Sequence, residues 1–177
     1  MSSLTLERNF PLDPETVFAF ITQTQNLLKW WGPEGMTVPE HNLDLSKPGK
    51  WMSVMVNAEG GRHKVTGEVI KVDPPRSVEF TWGWHDENDA RGHESRVRFE
   101  VAPDGQGGTR FRLIHTGLSD DEAAAGHTEG WTSALRMGRS GRNFSLNSLV
   151  TISMPFMFGM LTSQITARMS RWLLIFW

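Results

Sequence analysis

The chain of 177 residues contains no cysteine. This absence excludes disulfide bonds, thiolate nucleophiles and metal sites built on cysteine. The chain also has no strong excess of either charge, since 18 Lys and Arg residues face 20 Asp and Glu residues. A net charge of −2 argues against a nucleic-acid-binding protein, in which a basic excess is expected. The composition therefore predicts no nucleic-acid partner.

The first residues lack the basic start and the apolar run of a secretory signal. Because export to the secretory pathway depends on such a signal, the expected location is the cytoplasm. A length of 177 residues suits one domain with a core large enough for a modest internal cavity. No second domain is needed to account for the chain.

Charge is distributed unevenly along the chain. Residues 1–135 hold 13 Lys and Arg and all 20 Asp and Glu, whereas residues 136–177 hold five Arg and no acid. The sequence predicts a domain over residues 4–137 and an atypical basic, apolar tail over residues 138–177. Three interpretations of the tail stay open: packing on the domain or on the second subunit of a homodimer, contact with a membrane surface, or an out-of-frame, poorly ordered terminus.

Two short helices are predicted between the first two strands. The alternation of apolar and polar residues over 4–10 indicates the first strand. Asp13 is a good N-cap, and the following Pro14 suits the first turn of a helix. A second helical stretch over residues 25–31 ends at Gly32, because glycine permits a left-handed cap.

Residues 36–116 show repeated strand and turn signals, with no helical period long enough to compete. The connections are short, so neighbouring strands are expected to be antiparallel. At every second position one face of these strands is aromatic and the other is charged, which predicts a one-sided sheet that needs a cover. The predicted strands cover residues 37–45, 50–57, 62–72, 76–84, 93–101 and 109–116.

A long helix is predicted to cover the apolar face of this sheet. Ser119 offers a hydroxyl N-cap, and acidic residues follow it at the positive end of the helix dipole. His127, Trp131 and Leu135 lie on one stripe at i, i+4 and i+8, and Trp131 is expected to anchor the helix. The fold class is therefore α+β, a curved antiparallel sheet of about six to seven strands wrapped around a long C-terminal helix.

Several short motifs occur in a fixed order through residues 4–135. They are Pro14-Glu15-Thr16-Val17-Phe18, Trp30-Trp31-Gly32-Pro33, Pro48-Gly49-Lys50-Trp51, Gly67-Glu68-Val69, Asp73-Pro74-Pro75, Thr109-Arg110-Phe111, His115-Thr116-Gly117-Leu118 and His127-Thr128-Glu129-Gly130-Trp131. With them the chain resembles the START-like helix-grip (SRPBCC) superfamily, in the branch of homologues of the activator of heat-shock protein 90 (Hsp90) ATPase. The resemblance implies a sheet that grips the long helix with a hydrophobic cavity between them. Beyond Leu135 the chain departs from the family pattern.

The inward side chains of the predicted sheet and helix stripe are the expected lining of this cavity. Large, flat side chains suit an apolar or aromatic ligand, and His115 is the polar side chain expected to contact it. Trp30 and Trp31 are expected at the cavity rim or in support of the fold. The predicted ligand-binding residues are Trp51, Met55, Phe80, Trp82, Phe99, Phe111, Leu113, His115, Trp131 and Leu135.

Patterns for catalysis and metal binding are weak. His115 and His127 would supply only two ligands to a zinc ion, and no further ligand stands at a suitable spacing. The chain has no Gly-x-Ser-x-Gly motif and no phosphate-binding glycine loop. The histidines and acids of residues 85–94 are interpreted as a solvated loop. The sequence therefore predicts no catalytic residue, no metal and no cofactor.

The predicted function is the binding or carriage of a small hydrophobic molecule, without enzymatic activity. Two alternatives stay open. The family's namesake implies a co-chaperone-like protein that acts on Hsp90. The lipid carriers and aromatic-polyketide cyclases among the relatives also imply a cyclase-like enzyme, which would use Arg96 or Glu94 as its acid or base if the strand register were reversed.

Overall fold

The computed structural model of the protein describes residues 1–137. Seven strands and three helices follow one another in the predicted order, with both short helices between the first two strands and the long helix after the last strand. The strands are β1 (Ser2–Phe10), β2 (Thr37–His41), β3 (Gly49–Val56), β4 (Arg62–Asp73), β5 (Ser77–Trp84), β6 (Ser95–Pro103) and β7 (Thr109–Leu118), and the helices are α1 (Pro14–Thr22), α2 (Thr24–Leu27) and α3 (Asp121–Met137).

All seven strands form one curved antiparallel sheet in the order β1-β7-β6-β5-β4-β3-β2. From β2 to β7 each strand pairs with the next along the chain, and β1 pairs with β7, the last strand. The predicted α+β helix-grip fold is therefore confirmed. No helix within residues 1–137 has the length and apolar character needed to cross a membrane.

The two faces of the sheet differ as the period-two pattern predicted. The inner face carries buried apolar side chains at alternate positions, for example Val97, Phe99 and Val101 on β6. The outer face carries ion pairs between neighbouring strands, such as Arg96 with Glu79 at 3.2 Å. The side chains of β6 thus point to the faces that the sequence predicted, with Arg96 on the outer face. The core lies between the inner face and the helices.

Strand β2 is shorter than the predicted residues 37–45. It ends at His41, and the chain then turns towards α1. The Leu45 N–H donates to the Thr22 carbonyl at the end of α1 at 2.9 Å, and the Thr24 hydroxyl bonds to the Leu43 carbonyl. Leu43 and Leu45 are fully buried in this turn. Apolar burial and bonding to α1 therefore replace the strand pairing that alternation alone suggested.

The second helix is also shorter than the predicted residues 25–31. Helix α2 ends at Leu27, and turns bring Trp30 and Trp31 back against the core. The backbone N–H groups of both tryptophans donate to the Leu27 carbonyl. Gly32 follows with φ 93°, the left-handed conformation predicted for it. Strand β6 likewise starts at Ser95 rather than at residue 93, because the His93 ring bonds to the Gly117 carbonyl at 2.6 Å.

The N-cap of helix α3 lies one residue after the predicted hydroxyl cap, Ser119. The Asp120 carboxylate accepts from the Ala123 N–H at 2.8 Å, so Asp120 is the N-cap. Ser119 donates to the same carboxylate at 2.9 Å and supports it. A carboxylate competes well for this position because it also favours the positive end of the helix dipole. The prediction of Ser119 as the cap was wrong by one residue.

Candidate functional site

A single aromatic cluster lies between the inner face of the sheet and α3. Trp131 on α3 lies with its ring centroid 5.1 Å from Trp82, 5.8 Å from Trp31 and 6.0 Å from Phe99. Edge-on and tilted ring pairs of this kind contribute about 0.5–1.5 kcal/mol each beyond the area they bury. Trp131 is therefore the anchor of the helix that the sequence predicted.

The strands supply the other members of the predicted lining. Trp51 contacts Trp82 at 5.5 Å and Phe80 at 5.7 Å, and Phe99 contacts Phe80 at 5.2 Å and Phe111 at 5.5 Å. The structure brings together ten residues from four strands and α3: Trp51, Met55, Phe80, Trp82, Phe99, Phe111, Leu113, His115 and Trp131, all buried, and Leu135, partly buried at the margin.

Trp31, for which the sequence suggested either the cavity rim or support of the fold, belongs to this buried cluster. It is 4% exposed and contacts Trp51 at 5.6 Å and Trp82 at 5.7 Å. Trp30 is also buried, and its indole N–H donates to the Phe20 carbonyl at 3.4 Å. The sequence signal for the burial of Trp30 and Trp31 was Gly32, because it ends the helical stretch and the residues before it fold back on the sheet.

Helix α3 is held over the sheet at both ends of its span. Near its start Asp121 bonds to the Ser2 hydroxyl of β1. Near its end the Ser133 hydroxyl accepts from the Glu34 N–H at 2.9 Å, which ties α3 to the segment between α2 and β2. The aromatic cluster is thus enclosed by the sheet below, α3 above and the segment after α2 at one side.

His115 occupies the polar centre of this enclosure. Trp131 Nε1 donates to His115 Nδ1 at 3.2 Å, so the neutral ring carries its hydrogen on Nε2, and this atom donates to Ser95 Oγ at 2.8 Å. Ser95 in turn donates to the Trp82 carbonyl at 3.4 Å. Burial, and secondarily the nearby His127, lowers the pKa of His115 to about 2. His115 is therefore neutral at physiological pH.

His127 on α3 lies beside it, with the two imidazole centroids 4.7 Å apart. Trp84 Nε1 donates to His127 Nε2 at 3.2 Å, and His127 Nδ1 donates to the Ala123 carbonyl at 2.8 Å. Burial lowers the pKa of His127, with the bond to Ala123 acting in the opposite direction. Two neutral imidazoles whose ring nitrogens already have protein partners are poorly suited to proton transfer near neutral pH.

The charged loop of residues 85–94 is exposed from Asp86 onward, as the sequence predicted, and several hydrogen bonds connect it to β4. The His85 ring joins Asp89 Oδ1 through Nδ1 at 2.9 Å and the Thr66 hydroxyl through Nε2 at 2.9 Å. Arg91 also donates to Thr66, and it pairs with Glu94 at 2.9 Å. These bonds fasten the loop to the outer face of β4. In residues 1–137 no group of three or more His, Cys, Asp or Glu side chains is arranged to hold a metal ion.

Arg8 is a buried residue that the sequence reasoning did not single out. It lies on the inner face of β1, on the same side as Leu4 and Leu6, is 5% exposed, and makes contacts of its own. The alternation that starts at Leu4 was sufficient to predict the inward position of Arg8, because every second side chain of a strand points to the same face. Its neighbour across the strand pair is Phe111, so Arg8 lies at the β1 side of the enclosure.

Comparison with known proteins agrees with this geometry. Residues 11–137 match the family model described as activator of Hsp90 ATPase homolog 1-like protein. The crystal structure of the AHSA1 protein from Silicibacter pomeroyi is 53% identical, with a TM-score of 0.74 and a match that covers 77% of this chain and 94% of that chain. No curated protein matches the chain.

More distant structures share the fold. A Mycobacterium smegmatis protein is 22% identical over 77% of this chain and 85% of its own, with a TM-score of 0.63. An Arthrobacter aurescens protein is 24% identical over 76% of this chain and 81% of its own, with a TM-score of 0.64. The family model spans most of the chain, and the Silicibacter protein is similar along nearly its whole length. The chain therefore belongs to the family of activator of Hsp90 ATPase homolog 1-like proteins.

Proposed function

We propose that this protein binds a small hydrophobic molecule between the inner face of its sheet and α3, to sequester or carry it. The observation that supports the proposal most is the aromatic cluster itself, in which four tryptophans meet from β3, β5, α3 and the segment after α2: Trp51, Trp82, Trp131 and Trp31. Sites for small apolar ligands are lined mainly by hydrophobic and aromatic side chains with few polar groups. The ten predicted ligand-binding residues are the proposed lining.

The first experiment is native mass spectrometry of the full chain purified from cells. A mass above that of the polypeptide, released on denaturation, identifies the ligand directly. Trp82→Ala and Trp131→Ala should each weaken the binding of that ligand, because each removes a flat wall of the site. The matched control is Ile70→Ala, which removes a 45% exposed apolar side chain outside the core cluster. Equal affinity in all three variants would show that the site lies elsewhere.

A second candidate function follows from the family. Its description names homologues of an activator of the Hsp90 ATPase, so an action on Hsp90 is a specific alternative. Turnover of purified Hsp90 should stay at its basal rate when this chain is added, if ligand binding is the function. A rise in turnover that follows binding of the two proteins would favour the co-chaperone-like function instead.

The cyclase-like alternative needs a polar group that transfers protons inside the site. His115 has both ring nitrogens bonded and a pKa lowered to about 2 by burial, so it is not a base near neutrality. Arg96 pairs with Glu79, and Glu94 pairs with Arg91, both away from the aromatic cluster. These contacts support the non-enzymatic proposal. The cytoplasmic location and the homodimer stay predictions from the sequence.

A further inference from the structure

Six buried side-chain atoms that form hydrogen bonds have no partner within residues 1–137. Native proteins satisfy nearly all such atoms, because an unpaired buried polar group is costly. Six unpaired atoms in one small domain therefore require an explanation, and their position in the fold provides it. They are Trp31 Nε1, His41 Nδ1, Trp51 Nε1, Ser53 Oγ, His63 Nε2 and Trp82 Nε1.

These atoms lie together at one side of the enclosure. Ser53 is on the inner face of β3, between Trp51 and Met55. It stands opposite His41 of β2, and Met55 stands opposite His63 of β4. Directly opposite residues of an antiparallel pair share a face of the sheet, so both histidines also belong to the inner face. The unpaired atoms thus gather over β2, β3 and β4, with Trp82 from the adjacent β5.

Three of the six atoms are indole nitrogens, and they belong to tryptophan rings that contact one another. The ring centroids of Trp31, Trp51 and Trp82 form a triangle with sides of 5.5 to 5.7 Å. Trp51 Nε1 faces the sheet, since a Cβ atom on Gly67 of β4 would lie only 2.6 Å from it. Trp31 and Trp82, together with the hydroxyl of Ser53, are therefore the donors that we assign to a ligand.

The opposite side of the enclosure shows the contrary pattern. There the polar atoms of His115, Ser95 and Trp131 bond to one another, and Trp84 bonds to His127. The Trp30 indole is likewise bonded, to the Phe20 carbonyl. The unpaired polar atoms thus lie on β2, β3 and β4, on Trp82 of β5 and on Trp31 after α2, and not throughout the aromatic core. A bound molecule would be oriented by this difference.

The chemistry of the donors defines the ligand group that faces them. An indole N–H donates and never accepts, so its partner must be an acceptor. Arg8, a buried cation of the inner face, lies on β1 at the opposite edge of the sheet, so among residues 1–137 no buried Lys or Arg on this side favours an anion. Burial also lowers the pKa of His63, which keeps its ring neutral at physiological pH. A neutral acceptor is therefore preferred to a carboxylate.

We infer that the ligand is a neutral, largely apolar molecule with a carbonyl or ether oxygen, which lies against Trp31, Trp82 and Ser53 while its apolar body points towards Phe99. This inference rests on the proposed function and makes its ligand class specific. It also fixes the direction of the ligand in the site, with the oxygen over β3 and the hydrocarbon part towards β6 and β7.

The test uses two probes of nearly the same shape, 1-indanone and indane, which differ by one carbonyl oxygen. Both compete against the fluorescent probe N-phenyl-1-naphthylamine bound to the full chain. The ketone should compete about tenfold better, the effect of one hydrogen bond to an otherwise unpaired donor. Trp31→Phe and Trp82→Phe should each lower this preference, since each keeps an aromatic ring and loses one of the N–H donors. Trp30→Phe is the matched control and should keep it.

A second measurement needs no variant. In the wild-type protein labelled with 15N-tryptophan, indanone should shift the indole N–H resonances of Trp31 and Trp82 downfield, and indane should not. Equal competition by the two probes, or no competition by either while the fluorescent probe binds, would overturn the acceptor inference and leave the proposed function in place. If the fluorescent probe, indanone and indane all fail to bind, the proposed function itself is wrong.

Discussion

Among the glycines of residues 1–137, Gly67 on β4 has the least room for a side chain. A Cβ atom there would stand 1.9 Å from the Thr81 carbonyl oxygen and 2.6 Å from Trp51 Nε1. The first neighbour is backbone, so it cannot rotate away. We expect Gly67→Ala to lower the free energy of unfolding by about 3 kcal/mol, the upper end of the usual overpacking cost.

Urea unfolding at neutral pH measures this effect. Gly92→Ala is the control, because its Cβ would meet the Trp84 carbonyl oxygen at an ordinary 3.5 Å. Similar stabilities of the two variants would contradict the close approach at Gly67.

The buried His115 makes stability depend on pH. In the unfolded chain it titrates near pH 6.5, and burial lowers its pKa to about 2 in the folded protein. As the pH falls below 6.5, the unfolded chain takes up a proton that the folded chain does not. Stability is therefore complete above pH 6.5, and His115 alone removes about 1.4 kcal/mol for each pH unit below it.

Chemical unfolding between pH 4.5 and 6.5 tests this prediction, because most carboxylates titrate below that window. His127 and His63 act in the same direction, since burial lowers the pKa of each. His115→Gln should reduce the slope and leave the part due to the other two. An unchanged slope in the variant would contradict a neutral, buried His115.

The sequence predicted which strand residues face inward, but it did not predict which of their polar atoms form hydrogen bonds. Period two identifies Trp51, Phe80 and Phe99 as inward because a strand has only two sides. It does not show which indole N–H groups find partners, since Trp131 meets His115 across 16 residues and Trp84 meets His127 across 43. Such pairs depend on how α3 crosses the sheet, which no local pattern contains.

Helix α3 carries a glycine in its interior that its surroundings do not require. A Cβ atom on Gly130 would touch only Pro33 Cγ, at 3.9 Å. Glycine in a helix interior costs about 0.5–1 kcal/mol relative to alanine, because its backbone loses more freedom on folding. Gly130→Ala should therefore stabilise the protein by about that amount.

Thermal unfolding followed by circular dichroism reports the shift in Tm. Gly60→Ala provides a control of opposite sign, since Gly60 has no neighbour within 4 Å but a φ of 83°. Alanine in that left-handed conformation is strained, so the control should lose stability. A decrease for Gly130→Ala would mean that α3 cannot accept a methyl group beside Pro33.

At the scale of elements, the predicted bounds agree with the structure where a single sequence signal acts, as in α1. They differ where two signals compete, as in β2. Helix α1 starts as expected, with Asp13 accepting from the Thr16 N–H at 2.8 Å. Strand β2 was predicted too long because Leu43 and Leu45 alternate like strand residues. Their burial serves the contact with α1 instead, through the Leu45–Thr22 bond. Alternation of apolar and polar residues predicts that one side of a segment is buried. It does not predict which neighbouring element buries that side.

At the scale of the molecule, most of the sheet and all three helices lie in the region that the family model matches. The sheet and α3 lie within residues 1–137, the family model matches residues 11–137, and the Silicibacter protein is covered over 94% of its length by 77% of this chain. The predicted tail of residues 138–177 lies outside the described residues. We propose that a shortened chain ending at Met137 folds with the same aromatic cluster.

Near-ultraviolet circular dichroism and analytical ultracentrifugation of the shortened and full chains test this proposal. The expected result is the same tryptophan spectrum and the same Tm within about 2 °C, since a difference of 1 kcal/mol shifts Tm by only a few degrees in a domain of this size. Aggregation of the shortened chain would show that residues 138–177 cover apolar surface. A change from dimer to monomer would place the subunit contact in those residues.

The pairing of β1 with β7 also bears on how the protein is made. Leu4 stands opposite His115, so the first strand to leave the ribosome waits for the synthesis of the last. Strands β2 to β7 form a meander in which each pairs with its predecessor as it emerges. Long-range pairing of this kind slows folding, because the chain must close a large loop first. Until that closure the inward leucines of β1 stay uncovered, and α3, which follows β7, reaches the core last.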